Sequence, residues 1–96
     1  MTERMKSITE IRNRPEVLKL LKDLHGRGYR YVVRDRESEW LLCYTLKPKK
    51  YRDTNSWGYV DPNASGVKMA YPFKNNDMTE INWTNRTAKP ITDFIS

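Results

Sequence analysis

Few residues in this sequence could carry nucleophilic or acid–base chemistry. His25 is the only histidine and Cys43 the only cysteine. A Cys–His pair needs its thiol in a polar, electropositive pocket, whereas Cys43 lies between Leu42 and Tyr44 in an apolar run. We therefore expect Cys43 to be a buried, unreactive thiol. His25 needs no catalytic role, because a basic residue is favourable near the C-terminus of a helix.

Metal and phosphate-loop chemistry has equally little support. The sequence contains no Cys/His cluster of the kind that binds zinc, and its four glycines form no phosphate-binding loop. Asp35, Glu37 and Glu39 alternate within one polar segment and could bind a divalent cation. Because Arg34 and Arg36 are interleaved with them, a solvated turn with local ion pairs is the commoner interpretation. We expect no catalytic residues, no metal and no cofactor, and so a binding protein rather than an enzyme.

Positive charge is concentrated in the first half of the chain. Residues 1–52 contain 14 Lys/Arg and 7 Asp/Glu, a net charge of +7, whereas residues 53–96 have a net charge of −1. Part of this charge belongs to the N-terminal segment and to the solvent side of a predicted helix. The rest surrounds two predicted strands, and its members are Arg27, Arg30, Arg34, Arg36, Lys47, Lys49, Lys50 and Arg52.

These cations, together with Tyr51, predict a nucleic-acid-binding face on a β-hairpin. Lysine and arginine neutralise phosphates and release counterions, and aromatic rings offer bases a stacking surface. The alternative is a solvated basic edge, since lysines on edge strands also prevent strand pairing between molecules. The pattern leaves both interpretations open, with nucleic acid as the leading partner.

A second group of aromatic residues predicts a protein-interaction surface. Tyr51, Trp57 and Tyr59 lie close together in the sequence, and Trp and Tyr are frequent among residues that dominate the binding energy of protein interfaces. This hypothesis makes the chain an interaction module or inhibitor that docks on an acidic protein. The competing interpretation assigns these rings to the core, because a small domain with few aliphatic residues needs aromatic burial.

One helix is predicted over residues 14–25. Asn13 is a capping residue, Pro15 suits the first turn, and Glu16 completes the N-terminal pattern. Apolar residues recur at helical spacing from Val17 to Leu24. Gly26 is the expected left-handed residue that ends the helix.

The pattern then changes to a period of two, which is typical of strands. Residues 29–34 and 40–46 predict an antiparallel hairpin around a polar turn, and residues 47–56 predict loop. Further strands are predicted over 57–60, over 67–71 with its end at Pro72, and over 78–83. The tail is predicted to be mostly irregular, with Ile91, Phe94 and Ile95 as anchors. Residues 1–12 fit either a helical turn or a short strand.

Together these features predict one small α+β domain over residues 1–96, with one principal helix packed on an antiparallel sheet of about four strands. No apolar run approaches the roughly 20 residues that span a bilayer, and the N-terminus lacks the apolar segment of a secretory signal. A single cysteine cannot form an internal disulfide. We therefore expect a cytoplasmic protein with no membrane contact; the oligomeric state is not predicted.

Four short segments resemble a family of small uncharacterised proteins carried by phages and prophages of Gram-positive bacteria. They are Lys47–Tyr51, Trp57–Tyr59, Ala70–Pro72 and Thr79–Trp83. The resemblance implies intracellular expression in an infected host. It also implies a role such as nucleic-acid handling or inhibition of a host protein, and it brings no catalytic residues with it.

Overall fold

The structure, a computed structural model, describes residues 10–58 and 71–95. Its elements in chain order are β1 (Ile11–Arg12), α1 (Arg14–Gly26), β2 (Tyr31–Arg34), β3 (Trp40–Tyr44), β4 (Lys49–Tyr51), β5 (Ser56–Gly58), β6 (Tyr71–Asn75), β7 (Lys89–Pro90) and α2 (Thr92–Ile95).

Helix α1 confirms the main sequence prediction. The Asn13 side chain caps it by accepting a hydrogen bond from the Glu16 backbone N–H at 3.2 Å. Val17, Leu21 and Leu24 form its buried stripe, because residues three and four apart share one face of a helix.

The end of α1 differs from the prediction at one glycine. Gly26 is still helical, and the left-handed residue is Gly28, with φ of +107°. Its N–H donates to the His25 carbonyl at 3.1 Å, and the Tyr29 N–H donates to the Leu24 carbonyl at 3.0 Å. This pair of bonds is a Schellman motif, which satisfies two carbonyls of the last turn. The prediction for Gly26 was therefore wrong by two residues.

The main sheet has five strands in the order β1-β6-β3-β2-β7, and β4 pairs with β5 in a separate two-stranded sheet. Strands β2 and β3 form the predicted antiparallel hairpin, with Tyr31 opposite Tyr44. A mixed α/β fold with one main helix agrees with the predicted class. The sheet has one strand more than expected, and β1 runs parallel to β6, so the sheet is not purely antiparallel.

Strand β6 shows why the expected strand end at Pro72 was wrong. Residues 67–70 lie outside the described residues, but β6 continues through Pro72 to Asn75. Its neighbour β1 pairs only with Lys74 and Asn75. Within the described residues, no strand pairs with Pro72 on the β1 side of β6. Proline is tolerated at such a position because its nitrogen is not required to donate a hydrogen bond to a neighbouring strand.

The later part of the chain also departs from the predictions. Residues 49–51 form β4, where loop was expected, because they pair with Ser56–Gly58. Residues 78–83 form turns rather than a strand, with Met78 and Ile81 fully buried. The tail contains β7 and α2 rather than irregular chain. Its predicted anchors are confirmed, since Ile91 is in the core and Phe94 and Ile95 pack against it.

The main sheet has a hydrophobic cluster on each face. The first cluster joins α1 to the sheet, and its strand members include Val32, Leu41, Cys43 and Phe73. The second cluster lies on the opposite face and is formed by Val33, Tyr44, Trp57 and Ala88. Because Trp57 belongs to β5, this second cluster holds the β4–β5 hairpin against the main sheet. Within the described ranges, no helix has the length and apolar character to cross a membrane.

Candidate nucleic-acid interface

The β2–β3 hairpin places the predicted arginines at its two ends. At the end where β2 begins, the Arg30 N–H donates to the Tyr44 carbonyl at 2.8 Å. Arg34 lies opposite Leu41 at the other end, and Arg36 follows in the connecting turn. Strand β2 separates these positions by about 3.3 Å per residue, so the arginines do not form one patch.

Arg34 is used inside the fold. Its guanidinium donates to the carbonyls of Ile81 at 2.7 Å, Asn75 at 2.8 Å, Ser38 at 3.2 Å and Met78 at 3.3 Å. A fifth bond reaches the Asn75 Oδ1 at 3.0 Å. Desolvation by burial lowers the pKa of Arg34, and the charge of Asp77 opposes that change. This side chain fastens the 75–81 segment to β2 and has little donor capacity left for a phosphate.

Arg27 and Arg30, near the start of β2, interact mainly with helix α1. The Arg30 Nη1 donates to the carbonyls of His25 at 2.7 Å and Tyr29 at 3.0 Å, which adds a cation to the end of the helix. Arg27 is exposed and forms an ion pair with Asp23 at 3.1 Å. Both contribute positive potential to this end of the molecule, but neither lines the cleft described next.

Three exposed cations surround a cleft of about 290 Å³ beside strand β4. Lys47 and Lys49 come from the predicted basic run, and Arg86 comes from the turn before β7. Trp57 forms part of the wall, and the other lining residues are Pro48, Lys50 and Thr87. We call this space the basic cleft.

Lys50 reaches the inner wall of the basic cleft rather than solvent. Its ammonium lies 4.6 Å from the ring centre of Trp83 and 5.2 Å from that of Trp57, within the range of cation–π attraction. It also donates a hydrogen bond to the Trp83 carbonyl. Burial, and to a lesser extent the charge of Arg52, lowers the pKa of Lys50. The Lys50 side chain therefore organises the two rings behind the cleft.

Arg86 is the cleft residue that the sequence analysis missed. It belongs to the acidic half of the chain, so charge clustering along the sequence could not reveal it. A turn of side-chain hydrogen bonds precedes it: the Asn82 N–H donates to the Asn85 Oδ1 at 3.1 Å, and the Thr84 N–H donates to the Asn82 Oδ1 at 2.8 Å. Such bonds are typical of Asx turns. The two asparagines were the available sign of a fixed turn here.

Arg36 and Arg52 are exposed in two neighbouring turns. The Arg36 N–H donates to the Asn55 carbonyl at 3.3 Å, which joins the β2–β3 turn to the tip of the β4–β5 hairpin. The Asp35 carboxylate accepts the Trp57 N–H at 3.0 Å and strengthens this junction. Desolvation raises the pKa of Asp35, although the bond from Trp57 acts in the opposite direction.

The predicted protein-interaction residues separate into three cases. Trp57 is only 6% exposed, and its indole N–H donates to the Arg34 carbonyl at 3.1 Å, so it is a core residue. Tyr51 is half-buried on β4. Tyr59 lies outside the described residues. The docking hypothesis therefore rests on Tyr51 alone within the described chain.

The structure also locates the thiol and the carboxylates that were considered for catalysis or metal binding. Cys43 is fully buried, as predicted, and burial raises the pKa of its thiol. Glu37 and Glu39 line a second cleft of about 350 Å³ with Arg34 and several amide side chains, but Glu39 pairs with Lys74 at 3.1 Å. In the described residues, no group of three or more His, Cys, Asp or Glu could hold a metal ion.

Comparisons with family models, with curated proteins and with solved structures find no match for this chain. The resemblance to phage and prophage proteins therefore stays a prediction.

Proposed function

We propose that this protein binds nucleic acid and that the basic cleft is its phosphate-binding site. The observation that carries the proposal is the convergence of Lys47, Lys49 and Arg86 on one concave surface. All three side chains are exposed, so phosphate oxygens could reach them without disturbing the core.

The electrostatics of the site support an anionic ligand. Among the described residues that line the basic cleft, none is a carboxylate, so no negative charge in its wall competes with a phosphate. The whole chain carries a net charge of +6, and a basic surface raises the local concentration of polyanions. Arg36, in the β2–β3 turn, and Arg52, at the tip of the β4–β5 hairpin, add further exposed positive charge.

The proposal excludes part of the predicted binding face. Arg34 is left out because its five hydrogen bonds all end on protein oxygens. Lys50 is assigned to positioning of Trp57 and Trp83 rather than to direct phosphate contact. The residues proposed to contact phosphate are therefore Lys47 and Lys49 from the predicted group, together with Arg86.

The test compares two pairs of charge-removing substitutions by fluorescence anisotropy with labelled DNA and RNA oligonucleotides. We expect Lys49→Gln with Arg86→Gln to weaken binding about tenfold at low salt, since both cations flank the cleft. Lys19→Gln with Lys22→Gln is the matched control, because it removes the same charge from exposed positions on α1. Each lost phosphate contact lowers the slope of log affinity against log salt by about 0.7–0.9.

Two results would refute this proposal. One is the absence of DNA and RNA binding by the unaltered protein at about 50 mM salt, where phosphate contacts are strong. The other is an equal loss of affinity in the two double variants, which would reduce the effect to net charge. Absence of nucleic-acid binding would direct attention to the acidic-protein hypothesis.

We also propose that the chain is a small, non-catalytic binding protein of phage type that acts in the cytoplasm. The buried thiol of Cys43, in a chain with no second cysteine, suits a reducing compartment. A redox-insensitive protein is expected, and unchanged melting temperature with and without a reducing agent is the corresponding measurement.

A further inference from the structure

The outer face of the β4–β5 hairpin carries Lys49 and Tyr51. Successive side chains of a strand point to opposite faces, and Lys50 reaches inward to Trp57 and Trp83. Lys49 and Tyr51 therefore share the face that is directed away from the main sheet. Tyr51 is a member of neither hydrophobic cluster of the described chain.

Gly58 gives the Tyr51 ring a flat backbone surface to lie against. A Cβ atom built on Gly58 would be 3.5 Å from Cε2 and 3.8 Å from Cδ2 of the tyrosine. An aromatic ring that covers a cross-strand glycine is a recognised way of pinning strand register. The ring therefore lies over the Gly58 backbone and is half-buried.

The same register places this ring next to the basic cleft. Gly58 pairs with Lys49, and Tyr51 pairs with Ser56. Directly opposed residues in an antiparallel pair have Cβ positions about 4.5–5.5 Å apart, so the ring that covers Gly58 approaches Lys49. Because Lys49 also lines the cleft, the aromatic surface and the phosphate site adjoin.

The two tryptophans near the cleft belong to the second hydrophobic cluster: Trp57 is a buried member, and Trp83 packs against it. Trp57 and Trp83 meet edge to face, with ring centres 6.1 Å apart, and both rings contact the Lys50 ammonium. Both tryptophans therefore lie on the side of the hairpin that faces the main sheet, whereas Tyr51 lies on the outer face and is half-buried. A nucleobase that approaches the hairpin from outside would meet the Tyr51 ring.

We infer that the ligand of this surface is single-stranded nucleic acid, with one base stacked on Tyr51 and the neighbouring phosphate in the basic cleft. This inference rests on the proposed function. In a duplex the faces of the bases are stacked on one another, so Tyr51 could not use them. Single-stranded binding proteins combine basic grooves with aromatic rings in this way.

Tyr51→Leu and Tyr51→Phe separate stacking from general packing. We expect Tyr51→Leu to weaken binding of a single-stranded 12-mer about tenfold, since base stacking on an aromatic side chain is commonly worth this much or more. Tyr51→Phe should keep affinity within about twofold, because the ring persists. Neither substitution should alter the affinity for a duplex of the same sequence.

An abasic oligonucleotide gives a second measurement that needs no variant protein. It keeps the phosphates and lacks the bases, so the unaltered protein should bind it about tenfold more weakly than the matched single strand. Folding of the Tyr51→Leu variant is checked by its circular dichroism. If that variant does not fold, the abasic comparison still decides the matter.

The outcomes distinguish this inference from the proposed function. Equal affinity for single strand, abasic strand and duplex, with a loss in the Lys49→Gln/Arg86→Gln variant, would overturn Tyr51 stacking and keep phosphate binding. A preference for duplex would likewise overturn the inference. Lack of binding to all three probes would refute both.

Discussion

Replacement of Asn75 by alanine would remove a buried polar side chain that ties several segments of the chain together. Asn75 is fully buried, and its side chain forms hydrogen bonds with four other residues. Its Nδ2 donates to the Arg12 carbonyl at 2.8 Å and to the Asp77 Oδ1 at 2.7 Å. Its Oδ1 accepts from the Met78 N–H at 2.9 Å and from Arg34 at 3.0 Å. An amide has the two donors and the acceptor that this site requires.

The cost follows from the partners that alanine would abandon. The bonds to the Arg12 carbonyl and from the Met78 N–H are both buried, and each buried group that loses its partner costs about 1–3 kcal/mol. Arg34 keeps four other bonds, and Asp77 is exposed, so those two losses add little. We expect Asn75→Ala to lower the free energy of unfolding by about 3–5 kcal/mol.

Asn75→Asp tests which half of the amide matters. The carboxylate could still accept from Met78 and Arg34, but it could not donate to the Arg12 carbonyl. It would also place a negative charge beside the Asp77 carboxylate. We expect a loss close to that of Asn75→Ala at neutral pH.

The assay is urea denaturation monitored by tryptophan fluorescence and by circular dichroism, with two-state behaviour checked by agreement of the two signals. Asn76→Ala is the matched control, since Asn76 is the exposed neighbour and should change stability by less than about 0.5 kcal/mol. A loss below about 1 kcal/mol in Asn75→Ala, or one no greater than the control, would refute the bonding argument.

Two carboxylates beside Arg14 and two glycines also affect stability in ways that can be measured. Hydrogen bonds and the charge of Arg14 hold the pKa of Asp77 and the pKa of Glu80 below their ordinary values of 3.8 and 4.5. The two carboxylates therefore stabilise the folded protein fully above their ordinary pKa values, and this stabilisation is lost as the pH falls through the lower pKa values of the folded state. Arg14→Gln should reduce the loss of unfolding free energy between pH 5 and pH 3, as measured by urea denaturation. An unchanged dependence of the unfolding free energy on pH would contradict this prediction. Gly28→Ala should cost about 1–2 kcal/mol because φ is +107°. Gly58→Ala should stay within about 0.5 kcal/mol, because its Cβ would make ordinary contact with Tyr51; equal melting temperatures for both alanine variants would count against the backbone argument.

Local patterns in the sequence were enough to predict α1 and the β2–β3 hairpin. A helix cap depends on neighbours such as Asn13 and Glu16, and an amphipathic period depends on residues within one element. The burial of Cys43 followed from the same local pattern. Where a choice depended on a partner strand, prediction failed: β4 exists because β5 pairs with it, and β6 continues through Pro72 because no described strand lies beyond it.

For the candidate site, the sequence by itself determined that cations and aromatic rings are abundant around residues 27–59. Only the tertiary structure decided how they are used. Burial directs Arg34 to carbonyls of the 75–81 segment and Trp57 into the second cluster, since a buried polar group must find a partner. A fixed turn brings Arg86 to Lys47 and Lys49 from a distant part of the chain. The charge of a side chain is a property of its residue type. Whether that side chain can contact a ligand depends on which of its hydrogen-bond donors are already bonded within the folded protein.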